Sequence, residues 1–348
     1  MLTAKENFRE VVRGGNPDRI SNQYEALQLL VHPFMMFSPG LLKKGDLNVV
    51  DAWGVTNSFP EGTPGQFPVH TPDKIVIKDI ENWRDYVKFP SLDFSPQQWA
   101  IAKGMYDAVD GTKAYKAVLV VGGLFERCHH LMSIEETLMA FYEYPDEMHE
   151  LINALADCEI ELAKGICENL HPDAVFHHDD WGSEMNSFLS PEMFKEFFLE
   201  PYQRIYGYYK SHGCEMVIHH ADSYCANLIP TMIEMGIDVF QGCLKSNNNP
   251  ELIKKYGGKM SFMGEIDNKQ VDFPGWTDAD CAKAAETAIE RCGNKYFIPC
   301  IVQGGPGSTF PGTYKSLTKA IDEYNIRTYG FTQEELDNAR CPIQIMYE

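Results

Sequence analysis

The chain has 348 residues, of which 44% are hydrophobic and 23% are charged, a composition typical of a soluble globular protein. Its 30 basic and 50 acidic side chains give a formal net charge of −20, which argues against nucleic acid or an anionic membrane as a partner. No stretch of about 18 apolar residues is present that would span a membrane, and the ten cysteines include no Cys-x-x-Cys pair. We therefore expect reduced thiols and a cytoplasmic protein.

The first third of the sequence predicts one clear helix and little other regular structure. Thr3 and Glu6 have the spacing of a capping box, and Gly14 with Gly15 ends the helix that follows. The segment 20–30 is expected to hold the first strand, although it is polar for a buried strand.

Residues 32–75 are rich in proline, glycine and aromatic side chains and lack periodicity, which favours a functional cover over a plain linker. Four apolar side chains of this segment are candidates for the lining of a substrate pocket: Met35, Met36, Phe37 and Trp53. The alternative is that they form a hydrophobic cluster that seals one end of a barrel. The sequence does not distinguish these two roles.

From residue 116 onwards, apolar runs typical of buried strands alternate with helical patterns. Strands with their following loops are predicted in 116–123, 173–182, 215–222, 236–242, 259–267 and 295–307. Helices are predicted in 133–142, 145–170, 190–213, 227–236, 250–256, 277–291 and 314–325. Such alternation indicates a parallel sheet, and the number of strands approaches eight if the segments before residue 116 supply the first two.

No glycine-rich phosphate fingerprint opens a helix, which argues against a doubly wound nucleotide-binding fold. The sequence therefore predicts an α/β protein with (β/α)8 TIM-barrel architecture and an N-terminal helical and loop extension. Because no linker-like boundary is present, we expect a single domain, 1–348. In it, 1–75 form the extension and pocket cover, and 76–348 form the barrel.

Polar and metal-ligating side chains collect at the predicted carboxyl ends of the strands, where barrel enzymes build their sites. They are His177, His178, Asp179, Asp180, His219, His220, Asp222, Gln241, Glu265, Asp267, Cys300 and Gln303. Any one of them could be an ordinary residue of a polar rim, but their recurrence after consecutive strands favours a functional site.

Three of these side chains offer a mixed donor set for a metal ion. His220, Asp222 and Cys300 supply nitrogen, oxygen and sulfur, and three protein ligands with an open fourth position suit catalytic zinc. Glu265 is a candidate further ligand, with a rim carboxylate as the alternative. The alternative for Cys300 is a small buried hydrophobe, the commoner role of a free cysteine.

Several motifs resemble the uroporphyrinogen decarboxylase superfamily, and the resemblance covers nearly the whole chain. The motifs are Lys5-Glu-Asn-Phe, Pro17-Asp-Arg-Ile20, Val50-Asp-Ala-Trp-Gly54, His178-Asp-Asp-Trp-Gly182, Ser190-Pro-Glu-Met-Phe194, His219-His220-x-Asp222, Gly236-Ile-Asp238 and Gly264-x-Ile-Asp267. Together they are specific for the superfamily but not for one reaction within it.

The true decarboxylases of this superfamily bind four substrate carboxylates with arginines on an N-terminal segment and use no metal. Residues 21–40 contain no arginine, and the acidic side chains Asp179, Asp180 and Asp222 would repel a polycarboxylate. The resemblance therefore does not extend to decarboxylation of uroporphyrinogen.

The other branch comprises corrinoid-dependent methyltransferases, whose thiol-methylating members carry zinc on a His-x-Cys motif and a distant cysteine. His220-x-Asp222 resembles this motif with aspartate in place of cysteine, and Cys300 resembles the distant cysteine. A carboxylate in place of a thiolate makes the metal a harder Lewis acid, which suits polarisation of an ether or alcohol oxygen.

Relatives in this superfamily demethylate methoxylated aromatic compounds, and the resemblance implies this reaction here. Zinc, or a protonated acid at the rim, would polarise the ether oxygen while the cob(I)amide of a partner corrinoid protein takes the methyl group. The candidate catalytic residues are Asp180, Asp222 and Tyr224. The candidate substrate contacts at the strand ends are His178, Asp179, His219 and Gln241. Capping of the following helix is the alternative role of Asp179 and Asp180.

Other functions remain open on the sequence. The same branch includes enzymes that move a methyl group from a methylated corrinoid to a thiol or to tetrahydrofolate. A metal-free lyase acting on a small carboxylic acid and a non-catalytic binding barrel are the alternatives from other classes. No Asp-x-His-x-x-Gly signature of a corrinoid-binding domain occurs, so we expect the corrinoid on a partner protein. The sequence indicates neither the oligomeric state nor the identity of that partner.

Overall fold

The computed structural model describes residues 1–63, 65–303 and 309–342. The strands are Leu27–Leu30 (β1), Val49–Val50 (β2), Thr56–Ser58 (β3), Phe67–Pro68 (β4), Tyr115–Val121 (β5), Ala174–His178 (β6), Met216–His220 (β7), Val239–Cys243 (β8), Ser261–Ile266 (β9) and Phe297–Ile301 (β10). The helices are Ala4–Arg13 (α1), Pro33–Phe37 (α2), Trp83–Tyr86 (α3), Pro96–Asp107 (α4), Leu124–Met132 (α5), Ile134–Glu143 (α6), Pro145–Leu170 (α7), Pro191–Ser211 (α8), Ile229–Met235 (α9), Asn249–Tyr256 (α10), Asn268–Val271 (α11), Asp278–Cys292 (α12), Thr313–Tyr329 (α13) and Gln333–Ala339 (α14).

Seven parallel strands form one sheet in the order β1-β5-β6-β7-β8-β9-β10, and helices surround it. The predicted (β/α)8-barrel-like fold is therefore confirmed. Of the segments before residue 116, only β1 joins this sheet in the described part of the chain. Just ahead of β1, the Gln23 Oε1 atom accepts a hydrogen bond of 3.3 Å from the Ile301 amide of β10. This side chain connects the first and last strands of the curled sheet. Because β1 lies within 1–75, that segment supplies a barrel strand as well as the predicted cover.

A separate antiparallel sheet of β2, β3 and β4 lies in the N-terminal extension. The turn between β2 and β3 is held by Asp51, whose Oδ1 atom accepts hydrogen bonds from the amides of Trp53 and Val55, both 2.9 Å. Aspartate commonly stabilises turns in this way. The turn fixes the position of the Trp53 side chain.

Helices with a local capping signal begin where the sequence predicts. Thr3 and Glu6 form the capping box of α1, and the hydroxyl of Ser190 caps α8. Within the described residues, no helix has both the length and the apolar character needed to cross a bilayer. The predicted strand and loop 295–307 is described as far as Gln303, and residues 304–307 lie outside the described part.

The helix α5, which begins directly after Gly123, is not among the helices predicted from the sequence. This helix has no capping side chain of its own at its first position. Its free amides are satisfied instead by Asp179, which follows β6. A cap that comes from a distant part of the chain leaves no local start signal in the sequence.

Candidate active site

Two adjacent strands that each end in a His-His pair build the centre of the candidate site. β6 and β7 pair in register, with His177 beside His219 and His178 beside His220. Because successive side chains of a strand point to opposite faces, the two histidines of each pair face different sides of the sheet. His177 and His219 face the surrounding helices, whereas His178 and His220 face the barrel mouth.

His178, Asp180 and His220 form a group of converging ligand atoms. One ligand atom of each lies within 4.8 Å of the others. The rings of His178 and His220 meet edge to face with centroids 4.7 Å apart, and His178 Nε2 lies 3.3 Å from Asp180 Oδ2. Two imidazoles and one carboxylate are a donor set that can hold a divalent transition-metal ion.

The pKa values within this group depend on its internal charges. Burial alone would lower the pKa of His178, but the negative charges of Glu126 and Asp180 outweigh burial and raise it to about 10. Burial would raise the pKa of Asp180, but the positive charge of His178 outweighs it and lowers the pKa overall. Burial, and then the charge of His178, lowers the pKa of His220 to about 4. Metal binding would therefore require His178 to lose a proton.

Gln241 connects His220 to Cys300. His220 Nδ1 donates a hydrogen bond to Gln241 Oε1, which leaves the other ring nitrogen as an acceptor or ligand. The side chains of Tyr24 and Gln241 lie beside the thiol of Cys300, and burial raises the pKa of that thiol well above its ordinary value. The side chain of Gln241 therefore lies between Cys300 and His220. In the described chain Cys300 belongs to no group of three converging ligands, and its role as a ligand stays a prediction.

The outward pair, His177 and His219, takes part in a polar network between the sheet and its helices. His219 Nε2 donates to the carbonyl oxygen of Asp179 over 3.1 Å, and His219 Nδ1 accepts from the Tyr206 hydroxyl over 2.9 Å. His177 Nε2 pairs with the carboxylate of Glu159 on α7. Both histidines are fully buried. His219, a predicted substrate contact, therefore has no exposed surface for a substrate, and its bonds hold the strand to its surroundings.

Asp179, another predicted substrate contact, is also fully buried. Its carboxylate accepts hydrogen bonds from the amides of Phe125 and Glu126, at 2.9 and 2.8 Å, and from Trp181 Nε1 at 2.8 Å. It therefore caps α5, a helix that precedes it in the chain, and not the following helix. A Cβ atom at Gly123 would lie only 2.5 Å from the Asp179 Cβ atom, so glycine permits this close approach.

Asp222 and Tyr224 lie in the loop after β7. The Asp222 amide donates to Asp180 Oδ1 over 3.0 Å. Burial, and then the charge of Asp180, raises the pKa of the Asp222 carboxyl to about 7. Tyr224 is half-buried, and its amide donates to the carbonyl of Ser183 over 2.8 Å. The catalytic roles of both residues stay predictions.

Glu265 is engaged away from the mouth. Its Oε1 atom lies 3.0 Å from Arg291 Nε on α12, and its Oε2 atom accepts a hydrogen bond of 2.7 Å from Asn249 Nδ2. These partners hold the end of β9 to α10 and α12. Within the described residues, Glu265 joins no converging ligand group, so its position favours the alternative of a structural carboxylate over a metal ligand.

A cavity of about 230 Å³ opens at the carboxyl end of β5. Met35 and Trp53 of the N-terminal extension line it. The other two predicted pocket residues differ, because Met36 packs against the hydrophobic core and Phe37 is 39% exposed. The extension therefore contributes to a cavity wall, and the role of that cavity as a substrate pocket stays a prediction.

The cavity adjoins the converging group. Val121 lines the cavity and pairs in register with His178 on the neighbouring strand. Neighbouring strands lie about 4.8 Å apart. His178, Asp180 and His220 are not among the residues that line the cavity, so the converging group lies one strand away from its wall.

Arg127 supplies a positive charge to the cavity wall. Its side chain is 12% exposed, and its guanidinium lies 4.6 Å from the Trp53 ring centroid and 3.9 Å from Asp51 Oδ2. At 3.9 Å, Asp51 is a charged neighbour and not a hydrogen-bond acceptor. Arg127 is therefore suited to bind an anionic group in the cavity.

Four candidate side chains of α5 are not among the residues predicted from the sequence: Glu126, Arg127, His129 and His130. Their signal was the pair Gly122-Gly123 at the end of a predicted strand, since residues after a barrel strand belong to the mouth. Glu126 Oε1 lies 3.8 Å from His178 Nε2, and burial raises the pKa of Glu126 to about 8.

The residues present fit a zinc ion. His178, Asp180 and His220 supply nitrogen, oxygen and nitrogen donors within 4.8 Å of one another, and His220 is oriented through its second ring nitrogen by Gln241. Such an outer partner is usual for a metal-bound histidine. Of the ligand set predicted from the sequence, this group contains His220.

The fold and the site define a parallel α/β barrel with ligating side chains at the carboxyl ends of its strands. The family model described as uroporphyrinogen decarboxylase (URO-D) matches residues 47–324. The chain belongs to this family, which confirms the resemblance found in the sequence.

The fold is also similar to that of a methyltransferase from Methanosarcina mazei. The TM-score is 0.67 at 14% sequence identity, and the match covers 93% of this chain and 99% of that chain. At this identity the similarity concerns the fold alone. No curated protein sequence matches the chain.

Proposed function

We propose that this protein is a methyltransferase that moves a methyl group from a methoxylated aromatic compound to the cob(I)amide of a partner corrinoid protein. The observation that carries the proposal is the convergence of His178, Asp180 and His220 beside a largely apolar cavity. The URO-D family membership and the likeness to the fold of a methyltransferase support it.

His178, Asp180 and His220 would hold zinc. When bound, zinc supplies a Lewis acid for the ether oxygen of the substrate. Gln241 keeps the His220 ring in one orientation through its hydrogen bond. Cys300, beside Gln241, remains a candidate ligand if the loop residues rearrange when the metal binds.

The cavity would bind the aromatic ring. Met35 and Trp53 offer an apolar wall, and the covering segment would exclude water from the methyl group during transfer. Arg127 suits a carboxylate substituent on the ring, because guanidinium and carboxylate groups pair through two hydrogen bonds. The preferred substrate class is thus a methoxylated aromatic carboxylate.

We assign to Asp222 the role of assisting the leaving oxygen. Its backbone amide donates a hydrogen bond of 3.0 Å to Asp180, and burial and then the charge of Asp180 raise the pKa of the Asp222 carboxyl, so that carboxyl can carry a proton near neutral pH. As the methyl–oxygen bond breaks, its electron pair stays on the oxygen, which takes a proton from the Asp222 carboxyl. Tyr224, two residues later, would orient the substrate.

A metal-free lyase acting on a small carboxylic acid is the second candidate. Arg127 in the cavity wall fits this candidate as well, because its guanidinium suits a substrate carboxylate in either reaction. This candidate leaves the converging histidines without a role.

The test is an anaerobic assay of zinc-loaded protein with cob(I)alamin and a panel of methoxybenzoates, methylamines and methanol. We expect methylcobalamin, seen by its absorbance, with methoxybenzoates, together with equimolar phenol. Carbon dioxide released without cobalamin would instead support the lyase. Methylation of a thiol or of tetrahydrofolate by methylcobalamin, without demethylation of any substrate, would reverse the proposed direction.

A further inference from the structure

The helix that follows β5 carries a second group of metal-ligating side chains. Glu126, His129 and His130 lie on α5, and one ligand atom of each lies within 4.8 Å of the others. Residues three and four positions apart are neighbours on a helix surface. Both imidazoles are therefore next to the carboxylate through the helix geometry alone. The proposed methyl transfer makes no use of this group.

Glu126 connects this group to the first one. Its Oε1 atom lies 3.8 Å from His178 Nε2, whereas its Oε2 atom is buried without a hydrogen-bond partner among the described residues. Buried carboxylate oxygens are normally matched by a donor or a cation. A cation held by Glu126 and the two histidines of α5 would match this oxygen.

Hydrogen bonds fix the start of α5 against the end of β6. Asp179 accepts from the amides of Phe125 and Glu126, and the Gly123 amide donates to the carbonyl of His178 over 2.9 Å. These bonds tie the helix that carries the second group to the strand that carries His178. The two groups are thus held at a fixed separation, which is the preorganisation that a metal site requires.

Aromatic contacts orient the two rings of the second group. The His129 ring centroid lies 5.5 Å from that of Phe125 and 4.7 Å from that of His130, with the two histidines edge to face. His130 is further restrained at its backbone, since its carbonyl lies 3.3 Å from His70 Nε2. Packing therefore orders the two rings before any metal binds. Metal binding then loses little further side-chain entropy.

We propose that Glu126, His129 and His130 bind a second divalent transition-metal ion next to the ion assigned to His178, Asp180 and His220. Two imidazoles and one carboxylate favour Zn²⁺ and its first-row neighbours over Mg²⁺ and Ca²⁺, which prefer oxygen ligands. Glu126 is the side chain between the two positions.

This inference concerns metal binding and does not depend on the methyl transfer. Zn²⁺ is the probe: the full chain is stripped with a chelator, reloaded, freed of excess metal and analysed for zinc per folded chain. We expect about two zinc ions in the wild type and about one in His129→Ala, His130→Ala and His220→Ala. The control is His212→Ala, which removes an exposed histidine at the end of α8 and should keep both ions.

The zinc content separates this inference from the proposed function. Equal zinc in the wild type and in both α5 variants overturns the inference, whether that content is one ion or none. A single ion that is lost in His129→Ala but kept in His220→Ala would support the metal site on α5. It would also reject the metal site assigned to His178, Asp180 and His220. Titration with Co²⁺, followed by its visible absorption, gives an independent readout, with two binding phases expected in the wild type and one in His129→Ala. Should the alanine variants fail to fold, His130→Gln takes their place.

Discussion

β6 and β7 end in the same dipeptide, yet the two faces of these strand ends have opposite roles. His177 and His219 are fully buried and bonded to Glu159, Tyr206 and the backbone, whereas His178 and His220 are half-buried and converge with Asp180. The residue type is identical, so the face of the strand decides the role. In each of these two pairs, one histidine is bonded within the buried network and the other belongs to the candidate site.

The largest expected effect comes from removing a histidine that faces the barrel mouth. His220→Ala should reduce methyl transfer by about 10³-fold, because Lewis-acid stabilisation contributes several kcal/mol to the barrier. Its unfolding midpoint should stay close to that of the wild type, since this histidine does not join the sheet to a helix. The checks are zinc content, the anaerobic methyl-transfer rate and urea denaturation. Full activity with full zinc would remove this residue from the site.

The variant of the neighbouring histidine that faces the helices should lose stability but keep its zinc. His219→Ala removes the hydrogen bonds to the Tyr206 hydroxyl and the Asp179 carbonyl and opens a cavity, so we expect a loss of about 3 kcal/mol in the free energy of unfolding. The zinc content of the folded fraction should not change. Urea denaturation and metal analysis together measure this. Loss of zinc with unchanged stability would contradict the division between the two faces.

A third variant tests how α5 is held against β6. Gly123→Ala places a methyl group against Asp179 and should cost about 2 kcal/mol, the usual effect of overpacking. Gly207→Ala is the matched control, because a Cβ atom there meets nothing within 4 Å and helix propensity favours alanine. Thermal unfolding of both variants is the measurement. Equal stability of the two would show that the close approach at Gly123 is relaxed in solution.

The smallest effect is expected at the opposite end of β7, where Glu215 precedes the strand. Arg9 Nη2 and Arg13 Nη2 lie 2.6 and 2.7 Å from its carboxylate oxygens. Burial alone would raise the pKa of Glu215, but the hydrogen bonds and charges of the arginines outweigh burial and lower it. A carboxyl with a lowered folded-state pKa stabilises the fold above its unfolded pKa of about 4.3. That stabilisation is lost as the pH falls through the folded pKa.

Glu215→Gln should therefore lower the free energy of unfolding at pH 7 by less than about 1 kcal/mol, as is usual for partly exposed ion pairs. The difference from the wild type should shrink towards pH 3, and zinc binding should not change. Urea denaturation at several pH values measures it. A difference that stays constant from pH 7 to pH 3 would rule out this ion pair as its source.

The predicted elements and the missed ones differ in where their signals lie. The helices α1 and α8 were predicted from Thr3 and Ser190, whose side chains cap the helix that they precede. The helix α5 was missed because Asp179, far along the chain, caps it. The candidate site follows the same division. The polar side chains at the strand ends were predicted from the sequence. Glu126 was not, because it reaches His178 only through the docking of α5 against β6.

The sequence by itself determined the family, the alternation of strands and helices, and the collection of histidines and carboxylates at the strand ends. These follow from motifs and from periodicity, which neighbouring residues carry. Only the tertiary structure decided which histidine of each pair faces the mouth and that Asp180, rather than Asp222 or Glu265, converges with His220. The physical reason is that face and convergence are set by the register between strands and by helix docking, which join residues distant in the chain.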